Sequence, residues 1–254
     1  MSLVEDFAHP DSVVRQEQQR QSFIAEDMRP LYRDGRRYPA IPFFGRFDQA
    51  DILTLGLNPS SHEVVRPNLT LAEFVDWPDE VFLHCCYSYF ENEAYCEWFN
   101  RWSPVLQHFG VSYLGGENGR AAHVDLSPRP TCAASTLLHG EHRQQFEEVI
   151  AGGAQTLFHL ISQYRPKAPR LVISGGKIQG LELIQRLLGI RPIRIFNQTP
   201  GAWSLYHWPW PNGQKIVPVL SCTTGPSAWT ADRVNMANNF FRFVVPYLAE
   251  LGIQ

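Results

Sequence analysis

Apolar and polar positions follow one another along the chain in blocks that predict strands followed by helices. Three nearly continuous apolar runs end in small polar residues: "DILTLGL" at 51–57, "AAHVDL" at 121–126 and "RLVISG" at 170–175. A fourth run, "VPVLSC" at 217–222, comes late in the chain. Short apolar runs of this kind are typical of strands buried on both faces of a parallel sheet. The pattern therefore predicts an α/β protein with three layers, α/β/α, around a central, mostly parallel four-stranded sheet.

The segments between these runs predict helices. Residues 79–110 form a long, aromatic-rich and broadly helical stretch, in which Pro104 marks a kink or boundary and Gly110 a stop. Residues 140–165 have a helical pattern, and the pair Gly152-Gly153 is a candidate break in it. Alternation of strand and helix is the arrangement that places helices on the faces of a parallel sheet.

A hairpin and a single domain complete the predicted organisation. Two extended runs flank Asn212-Gly213, a dipeptide that favours a tight two-residue turn, and they predict a late β-hairpin. The sequence contains no internal repeat, no low-complexity tract and no linker. We therefore expect one domain over residues 1–254, with residues 1–40 as a helical and basic N-terminal extension.

Composition and charge narrow the class of protein. The chain has 254 residues, is 44% hydrophobic and has a formal net charge of −3, so it can build a core and has no overall attraction to nucleic acid or anionic membrane. Neither an N-terminal secretory signal nor a bilayer-length apolar run occurs. The five cysteines include no Cys-x-x-Cys pair, which argues against zinc and iron–sulfur sites. We expect a cytoplasmic protein with free thiols and without a metal or cofactor.

Small polar residues follow each of the four predicted strands. They are Asn58-Pro59-Ser60, Asp125-Leu126-Ser127, Gly175-Gly176-Lys177 and the segment 221–227. In open α/β sheets, ligands bind outside the carboxyl ends of the strands, so these four loops are the candidate site. Each loop also has a purely structural explanation, since Asn-Pro, Ser-Pro and Gly-Gly all favour turns.

The motif Gly56-Leu57-Asn58-Pro59-Ser60 after an apolar strand resembles the first motif of the uracil-DNA glycosylase superfamily. It is most similar to the Gly-x-Asn-Pro form of the mismatch-specific and single-strand-selective branches. Further segments resemble the family in order, from about residue 40 to about residue 250: "HVDLSPRP", "LVISGGKIQ" and "VPVLSCTTGPSAW". The resemblance implies a glycosylase fold, DNA as the substrate and a role in base excision repair.

The resemblance also implies roles for individual residues. Asn58 would be catalytic, because the Asn of the first motif helps to position the attacking water. An aromatic ring against the flipped base would come from Phe74, Trp77 or Phe99, although most aromatic residues of the chain belong in the core. The residues implied to contact the base are Gly56, Leu57, Pro59, Ser60, Asp125, Cys222, Thr223, Thr224, Gly225, Pro226 and Ser227.

The chain departs from the family pattern at two positions. The second family motif commonly carries a His that stabilises the departing base, but this chain has no histidine after His207. Loss of one such donor lowers a rate by about two to three orders of magnitude. Asp125 lies near the place of an Asn that contacts the pyrimidine edge, and an ionised carboxylate only accepts hydrogen bonds. Either Asp125 is protonated, the base differs from uracil, or the alignment slips by one residue.

Contacts to DNA require cations, and an N-terminal segment supplies them. Residues 29–46 place Arg33, Arg36 and Arg37 among aromatic residues that include Phe43 and Phe44. This mixture suits phosphate contact combined with stacking on bases. The alternative is a solvated extension without a ligand. Because the net charge is negative, any DNA binding would be weak and strongly dependent on salt.

Three functional hypotheses follow from the sequence. The first is a DNA glycosylase-like hydrolase that acts as a monomer. In it Glu63 could act as a carboxylate base close to the water, or His62 and Glu63 could be a solvated loop pair. The second is a catalytically weak or inactive module that binds a base, nucleotide or nucleic acid without cleaving it. The third is a cysteine hydrolase that uses Cys222, which has no histidine in its sequence neighbourhood.

Overall fold

The structure is a computed structural model that describes residues 21–22, 38–60, 79–91, 96–132, 137–164, 168–176, 178–196, 202–211, 215–223 and 239–253. Contacts between residues divide the chain into two compact units. The first unit comprises Met1–Asp48, Gly56–Ala94 and His123–Pro166, and the second comprises Gln49–Leu55, Tyr95–Ala122 and Lys167–Gln254. One domain over residues 1–254 stays a prediction.

The main sheet has six strands and confirms the α/β class. The strands are β1 Gln21–Ser22, β2 Tyr38–Pro39, β3 Ala50–Gly56, β4 Arg120–Asp125, β5 Leu171–Gly175, β6 Pro192–Ile195, β7 Trp203–Pro209 and β8 Ile216–Cys222. The order of the main sheet is β4-β3-β5-β8-β7-β6, and a separate two-stranded sheet pairs β1 with β2. The main sheet has six strands where four were expected, because the late hairpin is part of the same sheet and β6 pairs with its outer strand.

The centre of the sheet is parallel. β5 runs parallel to β3 on one side and to β8 on the other. β4 runs in the same direction as β3, since the Arg120 amide donates to the Asp51 carboxylate near their starts (3.1 Å) and the Leu126 amide donates to the Gly56 carbonyl after their ends (3.1 Å). The carboxyl ends of these strands therefore share one edge of the sheet, as the sequence pattern predicts.

The late hairpin is confirmed and lies within the sheet. β7 and β8 pair antiparallel over their whole length, from Trp203 opposite Cys222 to Pro209 opposite Ile216, while the Asn212-Gly213 turn lies outside the described residues. β6, which the sequence also indicates as strand-like, pairs antiparallel with β7 at the edge of the sheet. All four residues of β6 are exposed, in contrast to the buried central strands.

The helices differ from the predicted ones in two places. The stretch 79–110 forms three short helices in its described parts instead of one long one, and Pro104 lies in the first turn of the third helix, which confirms it as a boundary. The helix after β4 continues through Gly152-Gly153, so the expected break is wrong. The helices are α1 Asp79–Tyr87, α2 Cys96–Asn100, α3 Ser103–His108, α4 Arg143–Tyr164, α5 Ile178–Leu188 and α6 Val245–Glu250, with a 3-10 turn at Phe47–Gln49 and a π-helical turn at Phe240–Val244.

The apolar run of β3 is buried on both faces, as predicted. Ile52, Leu53 and Leu55 belong to the core, and Thr54 between them is buried as well. The Thr54 hydroxyl lies 2.8 Å from the Tyr113 hydroxyl, so the one polar side chain among these four is hydrogen-bonded. A buried hydroxyl without such a partner would weaken the strand by about 1–3 kcal/mol. The interior of β3 is thus buried with its one hydroxyl group satisfied.

Candidate active site

Hydrogen bonds join the loops after β3 and β4 beyond the ends of both strands. The Leu126 amide donates to the Gly56 carbonyl, and the Ser127 amide donates to the Leu57 carbonyl at 2.9 Å. Gly56, Leu57, Leu126 and Ser127 all belong to the first unit. The pairing of two parallel strands is therefore extended into the segments that carry the candidate residues.

The same two loops meet again a few residues further on. The Thr131 amide donates to the Pro59 carbonyl at 3.2 Å, and Ser60 and Thr131 form an isolated parallel bridge. Pro59 is buried, whereas Leu57 and Ser60 are half-buried. Because both sides of Asn58 are tied to the neighbouring loop, its backbone has a fixed position.

The side chain of Asn58 links the two loops through its amide nitrogen. Nδ2 donates to Thr131 Oγ1 at 2.7 Å, to the Pro59 carbonyl at 3.0 Å and to the Arg129 carbonyl at 3.2 Å. Two of these three acceptors are carbonyl oxygens, which cannot donate. The orientation of the amide group follows, because the reverse orientation would place Oδ1 against two carbonyl oxygens.

Thr131 reinforces this orientation. Its hydroxyl donates to the Cys132 carbonyl at 2.8 Å, so the lone pairs of Oγ1 are left to accept from Asn58. Asn58 Oδ1 is consequently turned away from all three partners, and it is buried without a hydrogen-bond partner. Leaving a buried acceptor unsatisfied costs about 1–3 kcal/mol, so an atom of this kind has a functional or structural cause to be found.

Asp125 and His123 form a buried pair at the end of β4. The two residues are two positions apart on one strand, so their side chains lie on the same face. His123 Nε2 is 3.3 Å from Asp125 Oδ1, and the residues are only 2% and 5% exposed. The other carboxylate oxygen, Asp125 Oδ2, is buried without a hydrogen-bond partner. Asp125 Oδ2 and Asn58 Oδ1 are thus both among the buried acceptors of the first unit that have no hydrogen-bond partner.

Gly56 provides the space for this pair. A Cβ at Gly56 would overlap Asp125 Oδ1 and come within 3.2 Å of His123 Nε2. Gly56 has no positive φ angle, so close approach of the two side chains, and not backbone conformation, explains the glycine. The first residue of the Gly-x-Asn-Pro motif therefore acts on the residues of the next strand.

A second close approach holds the loop after β4. Ser127 is fully buried, and its hydroxyl accepts from the Arg129 amide at 3.3 Å. A Cβ at Gly153 of α4 would overlap the Ser127 side chain and lie 2.5 Å from its Cα. Gly153 thus permits α4 to pack directly on the backbone of this loop.

The segment that begins at Ser221 belongs to the second unit. Ser221 Oγ lies 2.8 Å from Ser174 Oγ across the pairing of β5 with β8, and both hydroxyls are buried. Cys222 is 0% exposed. Thr223 is half-buried, and its amide donates to the Ala202 carbonyl at 2.9 Å. Thr224, Gly225, Pro226 and Ser227 lie outside the described residues.

Several aromatic candidates for contact with a base are core residues. Phe99 is 1% exposed, and its ring packs edge-on against Tyr113 with centroids 5.4 Å apart. Phe43 and Phe44 are also buried, so stacking of these two rings on nucleic acid is wrong. The remaining candidates lie outside the described residues: Arg33, Arg36, Arg37, His62, Glu63, Phe74, Trp77 and Lys177.

The described residues offer no metal centre and no membrane span. Among them, no group of three His, Cys, Asp or Glu side chains is arranged to hold a metal ion. Nor does any described helix combine the length and apolar character that crossing a bilayer requires.

Sequence reasoning missed His123 and Thr131. The alternation of strand residues was a usable signal for His123, because Asp125 stands two positions further along the same predicted strand. Thr131 had no such signal, since its contact with Asn58 joins loops 73 positions apart. Comparisons of the chain with protein families, with curated proteins and with solved structures find no match.

Proposed function

We propose that this protein is a DNA glycosylase-like hydrolase that cleaves the N-glycosidic bond of a damaged or deaminated base, with the attacking water held by Asn58. The observation that supports this proposal is the buried, unsatisfied Oδ1 of Asn58 at the carboxyl end of β3. Its amide nitrogen is fixed by three acceptors, so Oδ1 has one direction in which to accept. A water O–H is the kind of donor that suits it.

Hydrolysis of the N-glycosidic bond requires little from the protein beyond positioning the water and the sugar. The N-glycosidic bond breaks with its electron pair on the base, the water oxygen bonds to the sugar carbon, and one water proton is released to solvent. A neutral amide cannot take that proton, but it orients the water towards the cation-like sugar. Fixing the geometry of two reactants in this way supplies a large part of many enzymatic rate enhancements.

The finer parts of the proposal rest on the resemblance noted in the sequence. Within the six-stranded sheet, β4-β3-β5-β8 would be the four-stranded core of a three-layer glycosylase fold. Gly56, Leu57, Pro59, Ser60 and Asp125 would contact the base from the first unit. Residues 222–227 belong to the second unit, and their contact with the base rests on the resemblance alone. Arg33, Arg36 and Arg37 would contact single-stranded or mismatched DNA, which a monomeric enzyme would bind during base excision repair.

One observation favours the second candidate, a module that binds a base or nucleic acid without cleaving it. The three hydrogen bonds of Asn58 Nδ2 tie two loops together, as a purely structural residue would. In that case the amide shapes the loops around a ligand, and Oδ1 accepts from the ligand instead of from water. The two candidates predict the same binding and differ in product.

Release of a base from defined oligonucleotides tests the proposal. The protein is incubated with labelled single-stranded and mismatched oligonucleotides carrying uracil, xanthine or hypoxanthine, and abasic sites are cleaved with alkali. Product that Asn58→Ala lowers by about 100-fold or more supports the hydrolase, in line with loss of one key polar group. Asn118→Ala is the matched control, since Asn118 Nδ2 also donates to a backbone carbonyl, that of Phe109 at 3.3 Å. No product from any of these substrates, or from oligonucleotides in which cytosine or adenine is the target base, at high protein concentration rejects the hydrolase.

A further inference from the structure

We infer that Asp125, held in place by His123, restricts the site to the damaged bases of the proposed function that keep an exocyclic amino group, and makes it reject the oxo counterparts that deamination produces. This inference rests on the proposed function, because it names the class of base that the same site takes. It differs from what the resemblance implies, since uracil carries no amino group.

One carboxylate oxygen of Asp125 has no hydrogen-bond partner in the protein. His123 Nε2 lies 3.3 Å from Asp125 Oδ1, which leaves Oδ2 as the oxygen without a hydrogen-bond partner. Asp125 is more than nine-tenths buried, so water does not freely satisfy that oxygen. A buried carboxylate oxygen in this state favours a ligand that donates a hydrogen bond to it.

Contacts with Phe44 hold His123 in a fixed position. Its backbone is clamped to Phe44, because the Phe44 amide donates to the His123 carbonyl at 2.8 Å and the His123 amide donates back at 3.0 Å. The two rings also pack against each other, with centroids 5.7 Å apart. His123 is therefore a positioning residue, which acts on the ligand through Asp125.

The groups around the Asp125 carboxylate also favour a ligand that donates hydrogen bonds. Asp125 Oδ1 fills the space that a side chain at Gly56 would take, so this close approach fixes Oδ1 and not Oδ2. In the Gly-x-Asn-Pro motif, Asn58 Oδ1 is likewise a buried acceptor without a hydrogen-bond partner. Both atoms therefore prefer donors, and neither matches a carbonyl oxygen on a ligand.

The preference for hydrogen-bond donors predicts which class of base the site binds. Cytosine and adenine each present an amino group where uracil and hypoxanthine present a carbonyl oxygen. The amino group donates to Asp125 Oδ2, whereas a carbonyl oxygen at the same place repels it. A hydrogen bond to a charged group contributes enough for a preference of about 10-fold or more for the amino-bearing member of each pair.

Binding of free bases to the intact protein tests this inference without any need for cleavage. Equilibrium dialysis compares cytosine with uracil and adenine with hypoxanthine, and each pair differs in one exocyclic group and in the hydrogen on the neighbouring ring nitrogen. We expect tighter binding of cytosine and adenine by about 10-fold or more. Equal binding within both pairs, preference for the oxo bases, or no binding of any of the four bases overturns the inference.

Variants of Asp125 and His123 test whether these two residues cause the preference for amino-bearing bases. Asp125→Asn replaces one acceptor by a donor, so the preference is expected to shift towards uracil and hypoxanthine. His123→Gln retains an N–H donor for Asp125 and is expected to keep the wild-type preference, while His123→Phe is expected to lose it. An unchanged preference in Asp125→Asn overturns the inference. If that variant does not fold, as thermal unfolding reports, the comparison of His123→Gln with His123→Phe decides in its place.

The abasic-site assay separates this inference from the proposed function. Base preference that depends on Asp125, with no abasic product from cytosine-, adenine-, uracil- or hypoxanthine-containing DNA, supports the inference and rejects the hydrolase. Abasic product from uracil-containing DNA together with a preference for free uracil supports the hydrolase and overturns the inference.

Discussion

Asn58 Nδ2 and Thr131 Oγ1 lie 2.7 Å apart and join the loops that follow two neighbouring parallel strands. The Thr131 hydroxyl donates onward to the Cys132 carbonyl, so the direction of each hydrogen bond is determined. The amide of Asn58 is thus oriented by the protein itself, before any ligand binds. An oriented group needs little rearrangement on binding, which favours both affinity and catalysis.

Removal of the Thr131 hydroxyl is expected to destabilise the loops and to release the Asn58 amide. Thr131→Val keeps the shape of the side chain but removes both hydrogen bonds, so the free energy of unfolding in urea should fall by about 1–2 kcal/mol. Thr131→Ser keeps the hydroxyl and serves as the control, with a smaller loss. A larger loss of stability from Thr131→Ser than from Thr131→Val would show that the methyl group, and not the hydroxyl, is what matters at this position.

Addition of one methyl group at Gly56 is expected to disturb the pair behind it. The new Cβ of Gly56→Ala would overlap Asp125 Oδ1, and buried overpacking costs about 1–3 kcal/mol. Gly176→Ala is the control, since a Cβ at Gly176 has no other atom within 4 Å. Thermal unfolding of both variants measures the difference. A Gly56→Ala protein as stable as the wild type would mean that Asp125 moves aside without cost.

Alanine substitutions at two adjacent glycines of α4 are expected to change the stability of the protein in opposite directions. Gly152 is exposed and a Cβ there meets nothing within 4 Å, so Gly152→Ala should stabilise the protein by about 0.5–1 kcal/mol through helix propensity. Gly153→Ala should destabilise it by about 1–3 kcal/mol, because its Cβ would overlap Ser127. Chemical denaturation of the two variants makes the comparison, and a gain in stability from both would contradict the packing of α4 on the loop.

The cysteines are expected to differ in reactivity with iodoacetamide. Burial, and then the neighbouring Cys85, raise the pKa of the Cys86 thiol well above its usual range, and burial also raises the pKa of Cys85. Since the thiolate is the reactive form, alkylation of both should require a higher pH than an ordinary thiol does. Half-buried Cys85 and Cys132 should react before buried Cys86 and Cys222.

Tandem mass spectrometry of peptides alkylated over a range of pH measures this order. An unfolded sample supplies the reference, in which burial no longer protects any thiol. Rapid alkylation of Cys222 in the folded protein at neutral pH would contradict its burial, and it would favour the cysteine hydrolase hypothesis.

The parts of the fold that local pattern determines could be predicted from the sequence. The apolar run around Leu53 predicted a buried strand, and Asn212-Gly213 predicted the pairing of β7 with β8. The number of strands could not be predicted, because nothing local to β6 tells that it pairs with β7 in the main sheet. Gly153 was taken as a candidate helix break because glycine has a low helix propensity, yet packing against Ser127 overrides that propensity.

The candidate site shows the same limit. Asn58 and Asp125 stand out in sequence because Asn58 comes just after an apolar strand and Asp125 is a polar residue at the end of another. The partners that give these two residues their chemistry, Thr131 and His123, are identified only by contacts in the folded chain. A sequence pattern thus located the loops, while the directions of the hydrogen bonds required the structure.

The parallel pairing at the centre of the sheet has a consequence for the order of folding. β3 pairs with β5 through Ile52 opposite Leu171, and β5 pairs with β8 through Val172 opposite Val219. Contacts between such distant positions close long loops and slow the search for the native topology. During synthesis on the ribosome, the apolar strand that leads to Asn58 is therefore complete well before Leu171 and the rest of β5 are made and can pair with it, which makes β3 a segment for chaperones to protect.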